Sequence, residues 1–119
     1  MTLDLFVGFE EKPVGLKKFL QREGYAHVER PELGCVLYTR KNNPWPQVFY
    51  DEHLTQPQDD EVPNWHRAGF TVIAEVNINY PIDYEIIDEA ERLSEALTKK
   101  FNGILYDPNL DDYFRASDL

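Results

Sequence analysis

The sequence predicts an α+β protein: a two-layer sandwich in which two helices cover one face of a mainly antiparallel sheet, a ferredoxin-like split βαβ arrangement with an extra strand. Residues 70–80 place apolar side chains at every second position, the period of a strand with one buried face. Residues 83–101 then change to the period of a helix. Further strands and one more helix precede this unit, and a short strand follows it.

The first half of the chain is expected to contain a strand, a short helix and a hairpin. Leu3–Phe9 alternates as a strand, and Pro13 fits the first turn of a helix of about three turns that ends at Gly24. Tyr25–Arg30 has no clear period. Residues 33–52 hold two strands around a loop that contains two prolines, which predicts a hairpin.

The second half is organised by one amphipathic helix. Asp83 is predicted to cap its first amides, and Asn102-Gly103 is predicted to end it. Its apolar stripe consists of Ile86, Ala90, Leu93, Leu97 and Phe101, widened by Ile87 and Ala96. Ile104–Tyr106 should return as a short strand, and residues 110–114 should pack as a last helical turn or an extra edge strand.

Length and charge bound the possible functions. A chain of 119 residues suits a single α+β domain over residues 1–119. The formal net charge is −10, and residues 61–119 contain five Lys or Arg against twelve Asp or Glu. Such a surface repels phosphate backbones and anionic lipids, so we expect neither nucleic acid nor membrane as a partner. It attracts basic proteins instead.

The cysteine content and the termini favour a cytoplasmic location. Cys35 is the single cysteine, so no intramolecular disulfide forms. The N-terminal residues lack the basic and apolar regions of a signal peptide, and no apolar run approaches the length of a membrane helix.

No motif identifies a cofactor, a metal or a reaction. The six glycines are dispersed and form no phosphate-binding loop, so we predict no cofactor. His53 and His66 lie among carboxylates in a polar segment, but their spacing is not that of a metal site, so we predict none. Cys35 sits in an apolar strand, as a buried inert thiol does. We therefore assign no catalytic residue.

Two sets of residues are candidates for binding. Both tryptophans lie at loop ends, and both loops are next to acidic residues; tryptophan is enriched at the energetic centres of protein interfaces. The predicted partner-binding set is Trp45, Asp59, Asp60, Glu61, Trp65 and His66. The second set, Thr71, Glu75 and Asn77, lies on the side of the central strand opposite its core face and forms a candidate ligand face.

Three segments resemble the small immunity proteins of bacterial toxin systems: Leu3–Phe9, the helix over 83–101, and the return over 103–108. The resemblance implies a protein that occludes a cytotoxic, often basic, partner. We accordingly predict a non-catalytic, acidic protein-binding module. Two alternatives remain open: a small enzyme or ligand-binding domain that uses the face around Glu75 or the His53 and His66 segment, and a homo-oligomeric accessory protein.

Overall fold

The computed structural model describes residues 3–30, 32, 35–52, 72–78 and 83–119, with the side chains of residues 30 and 73 excepted. Within these ranges the chain forms seven strands and two α-helices. In order they are β1 (Leu3–Phe9), α1 (Leu16–Arg22), β2 (Tyr25–Arg30), β3 (Cys35–Arg40), β4 (Gln47–Asp51), β5 (Val72–Ile78), α2 (Tyr84–Phe101), β6 (Ile104–Asp107) and β7 (Asp112–Arg115). A 3₁₀ turn, Ala116–Asp118, follows β7.

The seven strands form one sheet in the order β2-β3-β4-β5-β1-β6-β7, and every neighbouring pair is antiparallel. Strand β1 lies between β5 and β6 and is antiparallel to both, so β5 and β6 run parallel to each other. Helix α2 connects these two strands. This is the split βαβ unit that the sequence predicts, and the α+β sandwich is confirmed. The ferredoxin-like arrangement fits the order of the central strands broadly.

The core lies between the helices and one face of the sheet. Val7, Ala74 and Val76 on the central strands, and Leu93 and Leu97 on α2, are each 0% exposed. The predicted faces of β5 and of the long helix are therefore confirmed. Burial of these side chains stabilises the fold by about 1.5–3 kcal/mol for each large aliphatic residue.

The described residues form two more strands than the sequence pattern predicts. Tyr25–Arg30 is β2, an edge strand whose alternation is hidden because its residues mix apolar and charged types on both faces. The segment after β6 forms the other edge strand, β7, which was one of the two predicted outcomes.

The first helix is shorter than expected. It begins at Leu16 and not near Pro13, because Gly15 directly before it has a left-handed backbone with a φ of 87°. Pro13 instead accepts a turn hydrogen bond from the Leu16 amide at 3.3 Å. The helix has seven residues, about two turns.

Candidate functional site

Of the predicted partner-binding residues, the structure describes only Trp45. Asp59, Asp60, Glu61, Trp65 and His66 lie outside the described residues, as do His53 and Thr71. Trp45 is half-buried and packs against the core. Its backbone N–H donates to Asn43 Oδ1 at 3.0 Å, and its carbonyl accepts from Arg40 Nη2 at 2.5 Å. Binding of a partner by this set stays a prediction.

The candidate ligand face around Glu75 lies on the side of the sheet away from the helices. Glu75 is half-buried, and its cross-strand neighbours are Phe49 on β4 and Phe6 on β1. Asn77 donates a hydrogen bond to Asp4 on the neighbouring strand. Glu75 thus interrupts an otherwise apolar row that crosses the sheet through Val28, Leu37, Phe49, Phe6, Tyr106 and Tyr113.

The sequence did not reveal this row because each strand contributes a single member to it. Polar residues on one strand suggest a polar surface, but the strand's neighbours decide what surrounds them. Phe6 is 5% exposed, so this part of the row is covered. Ligand binding at Glu75 and Asn77 stays a prediction.

A polar cluster that sequence reasoning missed joins the two helices to the sheet. Glu89 on α2 accepts hydrogen bonds from Tyr25 Oη at 3.1 Å and from Arg92 Nε at 2.6 Å. Arg40 Nη1 lies 3.8 Å from the same carboxylate, and Arg92 also donates to Glu23 at 2.9 Å. The members come from β2, β3, α2 and the end of α1, so only the folded topology brings them together.

The cluster shifts the pKa values of its members in opposite directions. Burial alone would raise the pKa of Glu89, but the hydrogen bonds and charges of Arg92, Tyr25 and Arg40 outweigh it and lower that pKa. Burial, followed by the negative charge of Glu89, raises the pKa of the Tyr25 hydroxyl. The cluster therefore holds an ionised Glu89 and a neutral Tyr25 at physiological pH, which is the arrangement of a structural brace.

The outer face of α2, defined here by Tyr84, Asp88, Glu91 and Glu95, is the second feature of the surface. These residues follow one another at spacings of four, three and four, so they form one stripe opposite the buried stripe. All four are exposed, Tyr84 at 86%. None of the three carboxylates forms an ion pair with another of the described residues.

The acidic residues of this face influence one another electrostatically. Partial burial, together with the charges of Asp88, Glu95 and Asp107, raises the pKa of Glu91. Asp107 belongs to the end of β6, so the negative region extends from the helix onto the sheet. The heptad-like spacing of these acids was visible in the sequence, but the contribution of β6 required the fold.

In the part of the chain that the structure describes, no three His, Cys, Asp or Glu side chains lie close enough together to hold a metal ion. No helix in those ranges is both long and apolar enough to cross a membrane. Comparison of the chain with models of protein families, with curated proteins and with solved structures yields no match.

Proposed function

We propose that the protein is a non-catalytic, acidic module that binds a basic protein, as an immunity or antitoxin-type protein does, and that the outer face of α2 is its binding surface. The observation that supports this most directly is the exposed stripe on α2, whose three carboxylates form no ion pair with any other described residue. Lys and Arg side chains of a partner would neutralise it.

Repulsion between the carboxylates of the stripe destabilises the free protein. Like charges three or four residues apart on a helix destabilise it by about 0.2–0.5 kcal/mol for each pair. Arg92, which lies between Glu91 and Glu95 in the sequence, forms its ion pairs with Glu89 and Glu23, so among the described residues no cation is paired with the stripe. A basic partner would remove this repulsion on binding, which adds to the attraction that steers it.

Tyr84 gives the stripe an aromatic end. Its ring is 86% exposed at the first position of α2, next to the capping residue Asp83. Tyrosine is enriched among residues that dominate interface energy, because it buries a large area and keeps a polar hydroxyl. An acidic stripe with an aromatic anchor is suited to a partner that offers both basic side chains and an apolar pocket.

A charge-matched pair of variants tests the proposal. The test variant is Asp88→Asn, Glu91→Gln, Glu95→Gln, and the control is Glu10→Gln, Glu11→Gln, Glu29→Gln, which removes three exposed carboxylates elsewhere. Each protein is immobilised and exposed to a lysate of the source organism, and retained proteins are identified by mass spectrometry. Association with the purified partner is then timed at several salt concentrations.

We expect a basic protein to be retained by the wild type and the control but not by the test variant. The test variant should slow association about tenfold and flatten its salt dependence, whereas Tyr84→Ala should mainly speed dissociation. If both triple variants lost partner binding equally, the net charge of the protein and not the outer face of α2 would determine binding. Retention of neutral or acidic proteins alone would also contradict the proposal.

A further inference from the structure

The structure contains a polar pocket beside α1, well away in sequence from the outer face of α2. Its volume is about 800 Å³. Residues of α1, of β2, of the end of β3 and of the loop that follows it line the pocket. The side chains that can recognise a ligand include Lys17, Gln21, His27, Arg40, Lys41 and Asn43. We call it the α1 pocket. Its volume is within the range of about 300–1,000 Å³ that is usual for small-molecule sites.

The charge of the α1 pocket is opposite to that of the protein. Lys17, Arg40 and Lys41 line it, and none of the described Asp or Glu residues does, although the chain has 22 acidic residues against 12 Lys and Arg. Neither lysine forms an ion pair with another of the described residues. A local concentration of positive charge on so acidic a protein attracts and retains a small anion.

Arg40 is held in place at the wall of this pocket. Its Nη2 donates to the Trp45 carbonyl at 2.5 Å, and its guanidinium carbon lies 5.8 Å from the centre of the Tyr25 ring. Glu89 is 3.8 Å from Nη1, but that carboxylate is shared with Arg92 and Tyr25, so it only partly offsets the charge of Arg40. The Nε of Arg40 is buried and has no acceptor among the described residues.

The remaining polar groups of the pocket are mainly donors. Asn43 Oδ1 already accepts the Trp45 N–H, and its amide NH₂, for which the described residues provide no acceptor, is a further donor. Gln21 and Lys17 are four residues apart on α1 and so lie on the same side of the helix. A ligand with several acceptor oxygens would satisfy these donors, whereas a cation or an apolar molecule would not.

We propose that the α1 pocket binds a small phosphorylated molecule. Two lysines and an arginine supply charge-assisted hydrogen bonds to phosphate oxygens, and side-chain amides complete the set of donors. The proposal does not depend on partner binding at α2, because no residue of the outer face of α2 lines the pocket.

The test uses the purified full chain with inorganic pyrophosphate, and with citrate as a carboxylate probe, at constant ionic strength. Binding is measured by calorimetry and by two-dimensional NMR. The test variant is Lys17→Gln, Lys41→Gln, and the control variant is Lys18→Gln, Lys100→Gln; all four lysines are exposed, so both variants should fold. Retained NMR dispersion verifies folding in each variant.

We expect saturable binding of pyrophosphate with a dissociation constant below about 1 mM, and chemical-shift changes centred on residues 24–27 and 40–43. The test variant should bind about tenfold more weakly and the control less than about twofold more weakly. Absence of saturation at about 10 mM, shift changes elsewhere, or equal losses in both variants would overturn the site. Tighter binding of citrate would overturn phosphate as its ligand class.

Discussion

The two helices cover the same face of the sheet, but they are stabilised by different interactions. In α2, the Asp83 side chain accepts the Glu85 amide at 2.9 Å, and Asn102 ends the helix in a left-handed conformation with a φ of 52°. In α1, Gly15 precedes the first turn without any side-chain cap. A seven-residue helix is unstable alone, so α1 depends on its docking through Leu16, Leu20 and Phe19.

The helices also differ in charge. The exposed side of α1 carries Lys17, Lys18 and Arg22, whereas the outer face of α2 carries carboxylates. Arg92 on α2 forms ion pairs with Glu89 on the same helix and with Glu23 at the end of α1, so the brace connects the two helices. The difference shows that an acidic protein can carry exposed basic side chains on one helix and a stripe of carboxylates on another.

The helix ends give the largest expected difference in stability. A Cβ on Gly103, just after α2, would lie 2.8 Å from the Gly8 carbonyl oxygen, a backbone atom that cannot move aside cheaply. Gly103→Ala should therefore cost about 1–3 kcal/mol of unfolding free energy. Gly15→Ala meets no atom within 4 Å, and its cost of about 1 kcal/mol comes only from the left-handed backbone.

Denaturant unfolding of both alanine variants and both asparagine variants separates the two causes. Asparagine tolerates a left-handed backbone, so Gly15→Asn should regain much of the stability that Gly15→Ala loses. Gly103→Asn should regain none, because its Cβ meets the same carbonyl oxygen. Recovery of stability in Gly103→Asn, or a larger loss of stability in Gly15→Ala than in Gly103→Ala, would contradict the close packing of Gly103 against β1.

The same contrast explains how much the sequence could predict. The span of α2 follows from its own cap and stripe, so the sequence predicted it within one residue at each end. The start of α1 was misplaced because glycine is compatible with several backbone regions, so the sequence does not show that Gly15 adopts the left-handed one. The brace at Glu89 and the α1 pocket were not predicted, because their residues are up to 69 positions apart along the chain.

Glu89→Gln tests the brace, where the two helices meet. The amide cannot replace the charged acceptor of Arg92 and Arg40, so we expect a loss of about 1–2 kcal/mol at pH 7. Because the folded protein lowers the pKa of Glu89, the stability it supplies is present at neutral pH and is lost as the pH falls below about 4.5. The difference in unfolding free energy between the wild type and Glu89→Gln should therefore become smaller in acid.

Thermal unfolding from pH 7 to pH 3 measures this difference. Glu95→Gln on the same helix is the control, and its unfolding free energy should stay within about 0.5 kcal/mol of that of the wild type. A gap that is constant with pH would show that the loss in Glu89→Gln comes from altered packing and not from the charge of the brace.

Glu91→Gln should have the smallest effect and the opposite sign. Partial burial and the charges of Asp88, Glu95 and Asp107 raise the pKa of Glu91, so its ionisation disfavours the folded state as the pH rises above about 4.5. The variant should be more stable than the wild type by about 0.2–0.5 kcal/mol at pH 7, and this gain should disappear in acid.

The same pH series as for Glu89→Gln measures this small gain, with added salt as a second variable. About 0.5 M salt should screen the repulsion by Asp88, Glu95 and Asp107 and so reduce the gain at pH 7, whereas the part that comes from partial burial should remain. If Glu91→Gln is instead less stable than the wild type at pH 7, the Glu91 carboxylate makes a net favourable contact. The outer face of α2 would then not be under repulsion, and a basic partner would gain nothing by relieving it.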